Sequence, residues 1–350
     1  VLGFDLAEVY EGRGPLEAAS QGIILEPDEI AMRMNLVNVS DDGRLMDYSG
    51  GQISSEEAAQ LVEALQESFG SDSVRFETGV AYRNLLILKG DQYTHDFHYE
   101  KPDDHPGKPY ADLLPGAKGP ESEQTVALLR SIMLNSLNFM DEHPVNEKRR
   151  SEGKAPANMA WFWSAGKKPD MPPFERVYSH TGAIISAVDV IKGIGTLAQM
   201  SVIDVPGATG YIDTDYEAKA RAGVETLESH DFVYVHVEGI DEVSHAGDLK
   251  LKMQGIADFD QRLIGTFLET FENSPAAEGK GLANLSIAVL PDHPVPIELR
   301  RHTRTPVPVM IVIPGASGDS GLLYNEIDAP TGSLGAMYQD GMMRRLFGQT

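Results

Sequence analysis

The sequence contains no cysteine and no long apolar run. The absence of cysteine excludes disulfide bonds, thiolate metal ligands and a cysteine nucleophile, so any metal must be bound through nitrogen and oxygen atoms. No apolar run approaches the roughly 20 residues of a transmembrane helix, and the amino terminus has no basic segment followed by an apolar one. We therefore expect a cytoplasmic protein that does not enter a membrane.

Positive charge is also scarce, because 29 Lys and Arg residues are set against 53 Asp and Glu residues, for a formal net charge of -24. Nucleic acids and anionic lipids favour basic surfaces, so neither is expected as a partner. An anionic small substrate would need metal cations or a local cluster of basic side chains in its pocket. The sequence leaves the oligomeric state open.

The remaining composition is that of a globular protein, with 350 residues of which 41% are hydrophobic and 23% charged. This length suggests one large domain and one smaller domain. Residues 1–25 are predicted to form a loop around the turn glycines Gly12 and Gly14. Ser54 and Glu57 match a capping box, which predicts a helix through about Phe69.

Short apolar runs alternate with helical patterns along the second half of the chain. Strands are predicted at residues 201–205, 232–237, 285–290 and 307–313, and helices at 216–227 and 249–271. This alternation indicates an α/β fold with a mostly parallel sheet covered by helices. A β-α-β segment nearer the start predicts a small inserted domain over residues 28–118, with residues 1–27 and 119–350 forming the core.

The residues that carry chemistry follow two of these predicted strands, 232–237 and 285–290. They are Asp241, His245, Asp292, His293 and His302. Open α/β sheets bind their ligands at the carboxyl ends of strands. Each residue alone is more often a helix cap or a solvated side chain, but two divalent cations need about six or seven N and O ligands. The sequence therefore predicts most of a two-metal site for moving phosphate.

Several short strings also occur in a characteristic order. They are YEGRGPLEA at residues 10–18, GVAYR at 79–83, DEHPVN at 141–146, ISAVDVIKGIG at 185–195, PGATG at 206–210 and PDHPVP at 291–296. Together they resemble the archaeal-type cofactor-independent phosphoglycerate mutases of the alkaline phosphatase superfamily. The resemblance implies an alkaline-phosphatase-like core with a small inserted α+β lid. It also implies interconversion of 3-phosphoglycerate and 2-phosphoglycerate, a glycolytic and gluconeogenic step, through a phosphoserine intermediate.

The same resemblance distributes the metal ligands. It assigns Asp241, His245 and His302 to one ion, and Asp292 and His293 to the other together with an Asp and the nucleophilic Ser. In the family these two residues come shortly before a Gly-Phe-Asp segment like that at Gly3, so we expect both to precede the printed sequence. Residues 1–350 alone should then bind metal poorly and be inactive. Mixed carboxylate and imidazole ligands favour manganese or zinc over magnesium.

Arg13, Arg83 and Lys219 fit contacts to a small phosphorylated substrate by the same resemblance. Surface solvation is the commoner fate of such side chains. A second histidine cluster, His95, His98 and His105, is interpreted as no metal site, because its PDDHP string departs from the PPHD string of the family.

Two alternative functions remain open at this point. One is a homoserine kinase-like phosphotransferase of the same family, which would use the same metals and serine with a different acceptor. The other is a non-catalytic relative that binds metal or phosphate.

Overall fold

The computed structural model describes residues 1–5, 9–315 and 321–349. The chain forms two compact units: unit one comprises Val1–Val9 and Met171–Thr350, and unit two comprises Tyr10–Asp170. The expected lid segment, residues 28–118, lies inside unit two, and its limits stay a prediction.

Unit two is organised around one antiparallel sheet. Its strands include β1 (Glu29–Val39), β2 (Leu45–Asp47), β3 (Val74–Val80), β4 (Arg83–Lys89), β5 (Phe97–His98), β6 (Gly116–Ala117) and β7 (Met159–Gly166). Its helices include α1 (Arg13–Ser20), α2 (Ser55–Phe69), α3 (Pro120–Asp141) and α4 (Pro144–Ser151). β1 lies between β4 and β7, and β2 pairs with its last residues. Every residue of β1 is buried, because the strand is covered on both faces and both edges.

The predicted capping box is confirmed at the start of α2. The Ser54 side chain accepts a hydrogen bond from the Glu57 backbone amide, and the Glu57 carboxylate accepts one from the Ser54 amide. The residues that α2 buries, Ala58, Leu61, Val62 and Leu65, follow the helical spacing. The hydrophobic pattern and the cap therefore agree on this element.

The prediction of a loop over residues 1–25 was wrong for α1. Pro15 lies in the first turn, where the backbone amides have no helical acceptor to lose. Gly14 packs so closely on β1 that a Cβ atom there would lie 2.4 Å from the Ala31 carbonyl oxygen. Gly14 is thus used for close packing of a helix, whereas Gly12, the residue just before the helix, has a φ of 125°.

Unit one contains a parallel sheet and a separate antiparallel pair. Its strands include β8 (Gly182–Ile185), β9 (Ser201–Ile203), β10 (Phe232–Val235), β11 (Ile287–Val289) and β12 (Met310–Val312). β8 lies between β9 and β10, and both pairings are parallel. β11 and β12 pair antiparallel, so the expectation of a mostly parallel sheet was wrong for them. No helix occurs between them in the described residues, and parallel strands need a long crossover, usually a helix.

Helices surround these strands. They include α5 (Phe174–Tyr178), α6 (Asp189–Leu197), α7 (Tyr216–Thr226), α8 (Gly239–Ala246), α9 (Leu249–Asp258), α10 (Thr266–Glu272) and α11 (Gly341–Leu346). A π-helical segment, Phe259–Gly265, joins α9 to α10. The protein is therefore a mixed α/β protein. Across the described residues, no helix combines the length and the apolar character needed to cross a bilayer.

Candidate metal centre

The five predicted metal ligands all lie in unit one, on the segments that follow β10 and β11. Asp241 and His245 lie on α8, one helical turn apart and on the same face, with His245 Nε2 3.4 Å from Asp241 Oδ2. Gly239 permits the close approach at the start of α8, since a Cβ there would lie 2.6 Å from the backbone carbon of Tyr211. The residues after β10 thus project a carboxylate and an imidazole together.

The loop between β11 and β12 supplies the other three side chains. His302 Nε2 lies 3.5 Å and His293 Nδ1 3.8 Å from Asp241 Oδ1. His293 Nε2 lies 3.1 Å from Asp292 Oδ2. The structure therefore brings all five predicted residues into one connected cluster, with the Asp241 carboxylate next to all three imidazoles.

The donor atoms of this cluster fit a divalent cation. Asp241 Oδ1 and His293 Nδ1 are buried, and neither makes a hydrogen bond within the described part of the chain. Leaving such atoms unpaired is costly, and a metal ion would satisfy both. One ligand atom each from Asp241, His293 and His302 lies within 4.8 Å of the others. This set joins His293 to Asp241 and His302, whereas the resemblance had placed His293 with the second ion.

The tautomer of His245 also suits metal binding. Its Nδ1 lies 3.0 Å from the Arg300 carbonyl oxygen, so Nδ1 carries the proton and Nε2 offers a lone pair towards Asp241. Arg300 has a φ of 51°, a left-handed conformation that a non-glycine residue adopts only under local constraint. Metal-binding histidines are commonly oriented in this way by a carbonyl on the second nitrogen.

The local environment favours the neutral form of one of the histidines. Burial lowers the pKa of His302, with a further lowering from His293 that Asp241 opposes. The neutral imidazole is the form that binds a metal ion.

A buried polar group next to the centre was not identified from the sequence. His236 directly follows β10, with Nδ1 3.2 Å from Ser186 Oγ and Nε2 3.4 Å from Glu238 Oε2. Burial lowers the pKa of His236 to about 4. Ser186 directly follows β8, as His236 follows β10. The rule that identified Asp241, namely a polar residue soon after a strand, could therefore have identified Ser186 and His236 as well.

Lys219 is buried on α7 and does not face solvent. Its side chain is 1% exposed, and Nζ donates a hydrogen bond to the His236 carbonyl oxygen at 3.1 Å. Burial lowers the pKa of Lys219 to about 8, and Glu238 opposes that shift. Ser244 is buried on α8, and its hydroxyl donates to the Ile240 carbonyl oxygen at 2.6 Å.

The two predicted substrate arginines lie in unit two. The backbone amide of Arg13 donates to Ser164 Oγ at 2.9 Å, and the Arg13 guanidinium lies 3.7 Å from Glu17. Arg83 is the first residue of β4, with its guanidinium 5.7 Å from the centroid of the Tyr82 ring. Two of the three histidines of the second cluster have carboxylate neighbours, since His95 lies 3.4 Å from Glu11 and His105 lies 2.7 Å from Glu100.

Comparison with protein families and known proteins gives consistent matches. The family model for 2,3-bisphosphoglycerate-independent phosphoglycerate mutase matches residues 1–146. An enzyme of that name from Methanosarcina barkeri is 43% identical over 336 residues, which cover 96% of this chain and 81% of the relative. A Methanothermobacter thermautotrophicus enzyme, named as the second mutase of this type, is 43% identical over 96% of this chain and 79% of its own length.

Two solved structures resemble the fold. A Pyrococcus horikoshii protein aligns with a TM-score of 0.77 and 25% identity, covering 100% of this chain and 81% of its own. A cofactor-independent phosphoglycerate mutase from Thermoplasma acidophilum aligns with a TM-score of 0.59 and 26% identity, covering 95% of this chain and 80% of its own.

Proposed function

The chain belongs to the 2,3-bisphosphoglycerate-independent phosphoglycerate mutase family, and from that premise we propose how its side chains carry out the reaction. The isomerase reaction of this family moves a phosphate between the 3- and 2-hydroxyls of glycerate. We propose that the chain does so by metal-dependent transfer through a phosphoserine, on an alkaline-phosphatase-like core with an inserted lid.

The position of Asp241 carries this proposal. One of its oxygens lies 3.4 Å from His245, and the other lies within 3.8 Å of both His293 and His302 without a hydrogen bond in the described residues. Asp241, His245, His302, Asp292 and His293 would hold two divalent ions. The three imidazoles favour manganese or zinc over magnesium. When bound, such ions lower the pKa of a hydroxyl and offset negative charge on a transferring phosphoryl group.

The remaining groups would bind and retain the substrate. The phosphate of 3-phosphoglycerate would pass to the serine, and it would then return from the serine to the 2-hydroxyl of the retained glycerate. Arg13 and Arg83 offer planar guanidinium groups for a carboxylate or phosphate, and the lid would exclude water that could hydrolyse the phosphoserine. Lys219 contributes indirectly, because its ammonium group holds the His236 carbonyl.

The test is a coupled assay of the full-length gene product with 3-phosphoglycerate after chelation and reloading with manganese, zinc or magnesium. We expect turnover without added 2,3-bisphosphoglycerate, with manganese or zinc restoring more activity than magnesium. A parallel assay with homoserine and a nucleotide donor should show no phosphate transfer. Failure of every metal to restore 3-phosphoglycerate turnover in a folded full-length protein would contradict the proposal.

A further inference from the structure

The loop between β11 and β12 carries three of the five metal ligands, yet its sequence limits how it can hold its own shape. Residues 290–309 include five prolines. Proline has no backbone N–H, so this loop has fewer donors with which to form internal backbone hydrogen bonds. The position of its metal ligands must therefore depend strongly on contacts with neighbouring elements.

One backbone hydrogen bond closes part of this loop beside the metal ligands. The Thr303 amide donates to the Pro294 carbonyl oxygen at 3.0 Å. Pro294 directly follows His293, and Thr303 directly follows His302. The bond thus brings together two imidazoles that are nine residues apart in the chain, and their ring centroids lie 3.8 Å from each other. We call residues 293–303 the ligand turn.

Two hydrogen bonds attach the ligand turn to the helices α8 and α9. His245 Nδ1 of α8 donates to the Arg300 carbonyl oxygen at 3.0 Å. Lys252 Nζ of α9 donates to the Val295 carbonyl oxygen at 2.8 Å. His245 is itself a candidate metal ligand, whereas Lys252 is not. Lys252 therefore connects the ligand turn to the scaffold without belonging to the ligand set.

The corner between α8 and α9 is fixed at the same place. Gly247 ends α8 with a φ of 77°, and the Asp248 side chain accepts the Leu251 amide at the start of α9, at 2.9 Å. A Cβ atom on Gly247 would lie 2.4 Å from Nε of Arg300, so the Arg300 side chain lies against this corner. The metal ligands of α8 and the Lys252 side chain of α9 are thus held in a defined relative position.

The Lys252 side chain is partly buried, and it lines the same cavity as Asp241 and Asp292. Ordering a lysine side chain costs rotamer entropy, which the hydrogen bond from its ammonium group to a carbonyl oxygen offsets. The acceptor residue, Val295, is only 5% exposed. Lys250, two residues earlier on the same helix, is exposed and provides a natural comparison.

We propose that Lys252 is a positioning residue of the metal centre. By holding the Val295 carbonyl, it keeps the ligand turn at the position where His293 and His302 share a cation with Asp241. The cation in this statement rests on the proposed function. Groups that orient metal ligands without touching the metal commonly change metal affinity 10–100-fold, so Lys252 should determine how tightly the centre retains its ions.

The test measures metal affinity of the full-length protein after chelation, by titration with zinc and with manganese against a competing chromophoric chelator. Lys252→Met removes the ammonium group and keeps an unbranched apolar stem. We expect its Kd for metal to rise about tenfold or more, with the number of ions bound at saturating metal unchanged. Lys252→Arg retains a cationic donor and should recover most of the lost affinity. Lys252→Gln keeps a shorter, neutral donor and should fall between Lys252→Met and wild type.

Lys250→Met is the matched control, because it removes an exposed ammonium group from the same helix, and it should bind metal as wild type does. Thermal unfolding with and without metal separates positioning from general stability. Metal raises the melting temperature of a protein that binds it in the folded state, and this increase should be smaller in Lys252→Met. A purely structural role would instead lower the melting temperatures of the chelated and metal-loaded protein equally and leave the Kd unchanged.

Folded Lys252→Met and Lys252→Gln proteins with wild-type metal affinity would overturn the proposal, as would an equal loss of affinity in Lys250→Met. A higher KM for 3-phosphoglycerate with unchanged metal affinity would also overturn it, because Lys252 would then bind substrate. The metal titration needs no turnover. If metal affinity depends on Lys252 but no metal supports conversion of 3-phosphoglycerate, the proposed function fails and the role of Lys252 stands.

Discussion

The imidazole rings of His293 and His302 stack with their centroids 3.8 Å apart and their planes inclined by 26°. Both rings come from the loop between β11 and β12, and both direct a nitrogen towards the same oxygen of Asp241. The other oxygen of Asp241 lies beside His245. One carboxylate on α8 therefore joins side chains that are brought together from two separate strand ends.

Substitution of Asp241 should remove the metal. We expect Asp241→Asn to lose most bound manganese or zinc and to lower mutase activity at least about a hundredfold, because an amide lacks the charge that offsets the cations. Metal content after gel filtration and coupled kinetics would measure both effects. Glu242→Gln is the control, since it removes an exposed carboxylate from the neighbouring position of the same helix. Equal metal content in Asp241→Asn and Glu242→Gln would contradict the assignment.

Substitution of Asp292 should have a smaller effect on metal content. Among the three histidines of the centre, the described contacts place Asp292 next to His293 only, at 3.1 Å. Asp241, by contrast, contacts all three. We expect Asp292→Asn to retain about one ion where Asp241→Asn retains little, with activity reduced in both. The number of metal ions bound per protein chain, measured by mass spectrometry, distinguishes the two variants. Complete loss of both ions in Asp292→Asn would show that the two sites depend on each other.

The sequence was sufficient to find the metal ligands because Asp241 with His245, and Asp292 with His293, each follow an apolar strand. It was not sufficient to divide them between two ions. That division depends on distances between α8 and the loop after β11, and in the structure His293 groups with Asp241 and His302.

The fold was predicted best where local signals and packing agree. Ser54 and Glu57 predicted the start of α2, whereas Gly12 and Gly14 suggested a loop in place of α1. Within the helix predicted over residues 249–271, Met253 and Ile256 are 59% and 45% exposed, whereas Leu263 and Phe267 are buried. The π-helical segment that follows them widens the turn and shifts the buried face relative to a 3.6-residue period.

Acid should destabilise the protein through His236. Its pKa is about 4 in the folded chain against the usual 6.5 of a histidine, so between these values the unfolded chain binds a proton that the folded chain does not. Stability should therefore fall as pH drops from 6.5 towards 4, by roughly 3 kcal/mol relative to a His236→Gln variant. Urea unfolding of the chelated proteins at several pH values would measure this. The exposed His98→Gln variant should behave as wild type, and an identical pH dependence in wild type and His236→Gln would refute the role of burial.

The packing of α1 on the sheet makes an unusual prediction about Gly14. Replacing a helical glycine by alanine normally stabilises a helix by about 1 kcal/mol, so propensity alone predicts a higher melting temperature. At Gly14, however, the new Cβ would lie 2.4 Å from the Ala31 carbonyl oxygen and 2.7 Å from the Met32 Cα atom, and neither backbone atom can move cheaply. We expect Gly14→Ala to destabilise unit two by about 1–3 kcal/mol, the usual cost of overpacking.

Gly116→Ala is the matched control in the same unit, because its Cβ would meet only the His98 Cβ atom at 3.7 Å. Thermal unfolding should show a lower midpoint for Gly14→Ala and little change for Gly116→Ala. Displacement of α1 would also carry the Arg13 amide away from Ser164, so the same variant should bind 3-phosphoglycerate more weakly at temperatures where it remains folded. A Gly14→Ala protein that melts at or above the wild-type temperature would mean that α1 packs less tightly on β1 than the structure indicates. Unchanged affinity for 3-phosphoglycerate would mean that the position of Arg13 does not depend on this contact.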